Sequence, residues 1–199
     1  SNDNNQRGLA FQPDFAWIKC MSSTDTHVLV DAIRGANKTL ESSSNATEYT
    51  ASSPHHEVQA FLSDGVTTGQ NGRVGANGDD YIGWFWDCGT AAATASTDGS
   101  ITPSAQWVNA TAGFSITKWT GSGGNATIGH GLGAKPAFHI IKRTNSAADW
   151  RVYTDTVGNT KTLILQAKNH EETSGMYQDT DPTNTVISLS SDANGNATG

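Results

Sequence analysis

A short motif occurs twice in the 199-residue chain, and this repetition constrains the fold more than any other feature of the sequence. The first copy reads RGLAFQP and ends at Pro13, and the second reads HGLGAKP and ends at Pro136. The offset is 123 residues, and identities in the same register continue without a gap to Leu40 and Leu163. Because the identities keep one register over this length, they indicate a tandem duplication. The fold is therefore expected to contain two copies of one structural unit.

The repeated motif has the composition of a sharp corner that leads into a strand. Pro136 fixes φ near −65° and lacks a backbone donor, so it suits the position just before a strand. Gly131 and Gly133 permit positive φ, which allows the chain to turn abruptly. No Lys-Ser/Thr and helix follow the glycines, as a phosphate-binding loop would require.

Composition restricts the class of protein. The chain has 21 Gly, only 16% charged residues and abundant Thr, Ser and Asn, which favours short strands and turns over helices. The formal net charge of −7 argues against nucleic-acid binding. No apolar run reaches membrane-spanning length, so no membrane insertion is expected. Because the first residue is not Met, we expect a processed or excised piece.

Alternating apolar residues predict the strands. The first three are expected at 14–21, 27–33 and 38–42, and their counterparts follow Pro136. The most apolar strand is YIGWFW, Tyr81 to Trp86, in which Ile82, Trp84 and Trp86 are expected to share a buried face. The predicted fold class is all-β: tandem antiparallel β-sandwich repeat units, jelly-roll-like, with long polar loops.

The predicted domain organisation follows the repeat. Residues 1–7 are expected to be a flexible N-terminal end, 8–112 the first β-sandwich repeat with its connection, and 113–199 the second repeat. The end of the chain matches the loop that precedes YIGWFW in the first copy, so the second copy is expected to lack its last strand. We expect this strand to come from outside the 199 residues, since an open hydrophobic edge tends to recruit one.

Several segments together resemble a known family. The order GFSI, T-G-x-G, A-T-I-G-H-G-L-G-x-x-P and I-I-K (113–142), a K-x-L strand, and N-G-D-x-Y-I-x-W-x-W (77–86) is similar to a tandem domain of unknown function. That domain occurs in structural proteins of marine bacteriophages, cyanophages especially. The resemblance implies a virion component built from β-sandwich units, with no catalytic residues to carry over. Cys20 and Cys88 depart from its pattern, and their pairing is left open by the sequence.

The histidines and carboxylates of the chain are candidates for a metal site or an active site, but each also suits an ordinary structural role. Neither the histidines nor the aspartates show the spacing of a metal site, and the chain has no Gly-x-Ser-x-Gly turn for a hydrolase nucleophile. We therefore predict no enzyme activity, no metal and no cofactor. The residues considered were His55, His56, Glu57, His130 and His139 as metal ligands, Asp64, Asp79, Asp80 and Asp98 as Ca²⁺ ligands, and Asp179 with Asp181 as an acid/base pair.

Two tryptophans are the only candidate ligand-binding residues. Trp107 and Trp119 lie in polar surroundings, where an indole can stack on a sugar or fill a pocket of a partner. Partner contact and ordinary packing are equally compatible with the sequence. Trp17, Trp84 and Trp86 are expected to belong to the core.

The expected function is a non-enzymatic virion structural protein, part of a fibre or surface appendage, located on the particle surface. Its expected partners are other virion proteins or copies of itself in a homo-oligomer. The alternative is a carbohydrate-binding module that attaches the particle to glycans of the host surface, and a third is a bacterial surface adhesin. Loss of glycan binding on Trp107→Ala or Trp119→Ala would favour the alternative.

Overall fold

The computed structural model describes residues 4–52, 57–91 and 95–198. The regular secondary structure of this part of the chain consists of β-strands, and all strand pairs in its sheets are antiparallel. Within these residues there is no helix with the length and hydropathy needed to cross a membrane. The strands are β1 (Asn4–Arg7), β2 (Phe15–Cys20), β3 (Val28–Asp31), β4 (Lys38–Thr39), β5 (Tyr49–Thr50), β6 (Val58–Leu62), β7 (Gly65–Thr68), β8 (Tyr81–Trp86), β9 (Thr90–Ala91), β10 (Ala105–Asn109), β11 (Phe114–Lys118), β12 (Ala126–Gly129), β13 (Phe138–Ile141), β14 (Arg151–Thr154), β15 (Lys161–Ile164), β16 (Glu172–Thr173) and β17 (Val186–Leu189).

The chain forms two compact units. The first contains Ser1–Asp87 and Thr144–Ser146, and the second contains Cys88–Arg143 and Ala147–Gly199. Each unit has its own hydrophobic core, as expected for units of this size.

Unit 1 has sheets of strand order β1-β7-β6, β3-β2-β8 and β4-β5, and a backbone bridge between Leu29 and Leu40 links β3 to the residue after β4. Inward-facing aliphatic side chains of β2 and β3 pack against those of β6 and β7, which is sandwich-type packing of one sheet on another. The buried core consists of Ala16, Ile18, Val28, Val30, Val58, Val66 and Val74.

Unit 2 has sheets of order β13-β14-β15-β16, β12-β17 and β11-β10-β9. Its core lies between the first two sheets and contains two tyrosines that are almost completely buried. The core residues are Ile128, Ile141, Tyr153, Met176, Tyr177, Ile187 and Leu189. The fold is therefore all-β and of the β-sandwich type.

Four successive strands in the two units occur at the offset that the sequence motif has. Strands β13, β14, β15 and β16 each begin 123 residues after β2, β3, β4 and β5, respectively. Within both sets the neighbours pair in the same order. The Ile-Lys pair of the motif has a matching local role in the two units. Lys19 donates to the carbonyls of Cys20 and Ser23, and Lys142 to those of Arg143 and Ala148.

The N-terminal segment differs from the predicted flexible end. Asn4–Arg7 form strand β1, which pairs with Gly65–Thr68 of β7. A polar sequence such as NNQR carries no hydrophobic signal, yet its backbone can still complete a sheet edge. Gly65 makes the close approach possible, because a Cβ atom there would lie 1.8 Å from the carbonyl oxygen of Gln6.

The boundary predicted between residues 112 and 113 falls inside unit 2. Strands β10 and β11 form a hairpin from Ala105 to Lys118, and the predicted boundary would cut its turn. The segment 90–109 contains β9 and β10. Because this segment is rich in Ala, Thr and Ser, it lacks the apolar alternation that would predict β10. The inward side chain of β10 is the buried Gln106, whose amide donates to the carbonyl oxygen of Gly129 at 2.8 Å.

Candidate functional site

The outer surface of the β2–β8 pair in unit 1 carries a row of large apolar side chains. Antiparallel pairing places Phe15 opposite Trp86, Trp17 opposite Trp84, and Lys19 opposite Ile82. We call Phe15, Trp17, Ile82, Trp84 and Trp86 the outer aromatic face. Such cross-strand aromatic pairs stabilise a sheet, and here they also form a continuous apolar surface.

This arrangement corrects the prediction that Ile82, Trp84 and Trp86 face the core. Ile82 is 40% exposed and Trp84 is 43% exposed. Tyr81 and Phe85 instead pack against the core of unit 1. Because both faces of YIGWFW are apolar, its alternation does not reveal which face is buried.

Local contacts explain why Tyr81 and Phe85 point inward. The Tyr81 hydroxyl donates to the carbonyl oxygen of Gly72 at 2.8 Å and accepts from the amide of Ala76 at 2.9 Å. Gly83 leaves room for the Phe85 ring, since a Cβ atom at Gly83 would lie 2.8 Å from that ring. The loop before β8 thus fixes the strand's orientation.

Ring contacts hold the outer aromatic face together. Phe15 and Trp86 have ring centroids 5.1 Å apart, and Trp17 and Trp84 meet edge to face at 6.0 Å. Aromatic pairs of this geometry contribute about 0.5–1.5 kcal/mol beyond their buried area. The rings are therefore ordered before any partner binds, which lowers the entropic cost of a contact.

A histidine fixes the indole at the centre of this face. Trp17 donates its Nε1–H to Nδ1 of His27 at 2.9 Å. Burial of the imidazole lowers the pKa of His27 below its usual 6.5, and the nearby charge of Lys19 lowers it further. His27 is thus held neutral at pH 7, as the hydrogen bond requires.

Unit 1 also contains an open groove of about 640 Å³ on the inner side of β8. Apolar side chains from the strands form one part of its lining, and amides, hydroxyls and carboxylates form the other. Asp79 and Asp80 stand at the start of β8. The principal lining side chains are Asn4, Gln6, Thr68, Asn77, Tyr81 and Phe85.

Trp107 and Trp119 are both half-buried in unit 2. Trp107 lies in β10 between Ile116 of β11 and Ala91 of β9. Trp119 packs against the core of the unit. Both indoles thus take part in packing within unit 2, and a role for either in ligand binding stays a prediction.

The candidate histidines show no metal site in the described part of the chain, where no three His, Cys, Asp or Glu side chains converge. His55 and His56 lie outside the described residues. His130 uses both ring nitrogens, one 3.3 Å from the carbonyl oxygen of Thr183 and the other accepting from the amide of Leu132 at 3.2 Å. His139 stacks on Tyr153 at 4.8 Å, and burial lowers its pKa to about 3.

The candidate carboxylates take part in local structure. Asp64 forms an ion pair with Arg7 at 2.6 Å, and Asp98 accepts from the Ser96 hydroxyl at 2.8 Å. Asp181 accepts from the side chains of Asn159 and Tyr153, and ion-pairs with Lys135. The remaining acid of that predicted pair, Asp179, adopts a positive φ of 49° in a turn.

A buried ionic network surrounds Glu57, which sequence inspection treated only as a metal ligand. Glu57 is 2% exposed and accepts from the hydroxyls of Thr39 and Tyr49 at 2.6 and 2.7 Å. Arg73 lies 3.2 Å from Glu57 and 2.6 Å from Glu41. Burial and the hydrogen bond to Glu57 raise the pKa of Tyr49. No sequence motif joins these distant residues, so only folding brings them together.

Cys20 and Cys88 are both buried, and neither forms a disulfide. Burial without disulfide bonding is ordinary for cysteine, which packs as a small apolar side chain. The two residues therefore serve as packing groups.

Comparison with known proteins yields one match. No curated protein and no solved structure is significantly similar to the chain. The sequence model of a family described as "Domain of unknown function (DUF7483)" matches residues 1–199. Because this match spans the whole chain, the protein belongs to the DUF7483 family.

Proposed function

We propose that this chain is a non-enzymatic structural module of a phage virion, part of a fibre or surface appendage, and that it contacts its neighbours through the outer aromatic face. The observation that carries the proposal is the exposure of Ile82 and Trp84 beside the ordered ring of Trp17. Contiguous exposed apolar patches mark interaction surfaces, and buried aromatic side chains supply most of the binding energy of an interface. The neighbours are other virion proteins or copies of this chain.

The roles of the charged residues support a structural function. Arg73 forms ion pairs with both Glu57 and Glu41 in unit 1, and Asp181 is bonded on the surface of unit 2. Catalytic acids and bases need access to a substrate and matched pKa values. Short strands, low charge and two sandwich-type units suit a rigid, soluble building block.

The experiment that tests the virion assignment is immunogold electron microscopy. Antibodies against the recombinant chain should label an appendage on purified particles of the virus that encodes it. The assignment would be overturned if the antibodies labelled only lysates of infected cells and left the purified particles unlabelled. Antibody adsorbed with the recombinant chain is the control.

A contact role of the outer aromatic face is tested by substitution. Trp84→Ser and Ile82→Lys should each reduce association of the chain with its particle neighbours at least tenfold, as loss of a central aromatic contact does. Ala46→Lys is the control, since Ala46 is an exposed apolar residue of unit 1 that lies outside strands β2 and β8. Equal association of all three variants would exclude the face as the contact surface.

The second candidate is glycan binding, which the groove of unit 1 favours. Amide and carboxylate side chains beside the rings of Tyr81 and Phe85 are the groups that recognise sugars, through hydrogen bonds and stacking. On a glycan array, loss of binding in Asn77→Ala and Asp79→Ala would assign the ligand to this groove. Loss in Trp107→Ala or Trp119→Ala would assign it to unit 2. A chain that binds no glycan excludes this candidate.

A further inference from the structure

The outer edge of β13 in unit 2 differs from the corresponding edge in unit 1. Strand β2 lies between β3 and β8, whereas β13 has β14 on one side and ends its sheet on the other. Since β13 and β14 correspond to β2 and β3 at the 123-residue offset, the open side of β13 is the side that carries β8 in unit 1. In the described part of the chain no strand pairs with it.

Side chains along this edge lack the cover that β8 provides in unit 1. Phe15 packs against Trp86 at 5.1 Å, but its counterpart Phe138 is 56% exposed. Ile140, the counterpart of Trp17, is half-buried. An unpaired edge that carries exposed apolar side chains is a template for addition of a strand.

A second and independent observation comes from the inner face of the same edge. His139 stacks on Tyr153, its cross-strand partner in β14, and touches Tyr177 edge to face at 5.2 Å. Its two ring nitrogens are buried and have no hydrogen-bond partner among the residues that the structure describes. Because Tyr153 covers the ring from the β14 side, an added strand would lie on the other side. A buried polar group without a partner destabilises the structure, and a binding partner that bonds to it removes that cost.

We propose that the outer edge of β13 is a docking site for an extended peptide strand of the β8 type, held by antiparallel backbone pairing. The β2–β8 register supplies the template, in which Phe15, Ala16 and Trp17 face Trp86, Phe85 and Trp84. Aromatic residues of the partner then cover Phe138 and Ile140. In unit 1 the small Ala16 lies opposite Phe85, but in unit 2 the corresponding residue is the imidazole of His139. The partner therefore carries a hydrogen-bonding residue, and not an aromatic one, opposite His139.

This inference rests on the proposed structural role and names its partner: a strand from a neighbouring polypeptide that completes unit 2. Binding of a peptide does not depend on where the chain resides in a particle. Failure of the immunogold experiment would therefore leave this site standing, and failure of the peptide to bind would leave the virion assignment standing.

The first test is binding of a synthetic peptide with the sequence of residues 77–87, NGDDYIGWFWD, whose three aspartates keep it soluble. Fluorescence anisotropy of the labelled peptide should give saturable binding to the chain in the micromolar range. Phe138→Glu should weaken binding at least tenfold, while the charge-matched control Met21→Glu, at another exposed apolar residue, should not. No saturation up to 100 µM, or equal binding by the two variants, would overturn the proposal.

Backbone pairing is tested with two N-methylated peptides. One is methylated at the residues matching Tyr81, Gly83 and Phe85, and the other at those matching Ile82, Trp84 and Trp86. Because alternate residues of a strand direct their N–H groups to opposite edges, one of the two should lose binding and the other should keep it. Hydrogen exchange should show new protection of Phe138–Ile141. Retention of binding by both peptides would overturn the pairing.

The role of His139 is tested by a double-mutant cycle. A peptide with Phe85→Thr should bind the wild-type chain about fivefold more tightly than the unmodified peptide, since one recovered hydrogen bond is worth about 1 kcal/mol. On the His139→Phe chain this preference should vanish or reverse. An unchanged preference would show that the partner does not bond to His139, and would overturn that part of the inference.

Discussion

Trp17 and His27 are joined by a hydrogen bond of 2.9 Å in which the indole donates and the imidazole Nδ1 accepts. The bond requires an unprotonated Nδ1. Because burial and Lys19 lower the pKa of His27, the bond persists below the ordinary value of 6.5 and is lost only as the pH falls through the lowered pKa. We predict that the fluorescence of Trp17, measured as wild type minus Trp17→Phe, changes in an acid transition centred below pH 6.5.

His27→Gln is the control for that transition. Its side-chain amide oxygen can accept from Trp17 at any pH, so the variant should show a flat profile over the same range. The same transition in His27→Gln would contradict the assignment to His27.

The network around Glu57 predicts a large effect of one substitution. Arg73→Ala leaves Glu57 and Glu41 without their cation, and Glu57 is almost completely buried. Loss of one partner from a buried ion pair costs about 3 kcal/mol of unfolding free energy. Urea denaturation of the recombinant chain, followed by probes in unit 1, measures this loss.

An exposed ion pair in the same unit is the matched comparison. Arg7→Ala removes an ion pair of 2.6 Å to Asp64 on the surface, and should cost less than about 1 kcal/mol. Equal losses in Arg73→Ala and Arg7→Ala would show that burial of Glu57 has no energetic consequence.

His139 predicts an acid dependence of stability in unit 2. Burial lowers its pKa to about 3, whereas the unfolded chain binds the proton near 6.5. The unfolded state is therefore favoured as the pH falls below 6.5, and the loss of stability continues down to about pH 3. His139→Phe keeps a ring against Tyr153 and removes this titration, so the variant should gain in melting temperature relative to wild type as the pH falls. A constant difference between pH 7 and pH 4 would contradict the prediction.

Gly65 should be essential for docking of the N-terminal strand. A methyl group there would collide with the carbonyl oxygen of Gln6, so Gly65→Ala should separate β1 from β7 and cost about 1–3 kcal/mol. Hydrogen exchange should show lost protection in Asn4–Arg7. Gly124→Ala is the control, because open space surrounds that position. Retained protection in Gly65→Ala would contradict the predicted close approach.

The positions of the principal strands were predictable because alternation and turn residues are local signals. Strand β2 begins within one residue of the predicted start, and β8 has the predicted bounds Tyr81–Trp86. The repeat predicted counterparts of the first two strands at 138–142 and 150–155, and β13 and β14 begin at Phe138 and Arg151. The all-β class follows from the same local information.

Orientation and long-range pairing were not predictable from those signals. YIGWFW is apolar on both faces, and the contacts of Tyr81 with Gly72 and Ala76 decide which face is buried. The predicted core residue Trp84 is consequently exposed. Residues Asn4–Arg7 have no apolar side chain, and only the presence of β7 gives them a partner.

The sequence by itself determined the all-β class, the positions of the principal strands, the 123-residue register and the apolar residues available for packing, because each depends on local patterns along the chain. Tertiary structure alone decided that the rings of β8 form a surface, that Arg73 pairs with Glu57, and that no strand of the described residues covers the outer edge of β13. These relationships join residues far apart in the chain. Their energies depend on burial and distance, which arise only when the sheets pack.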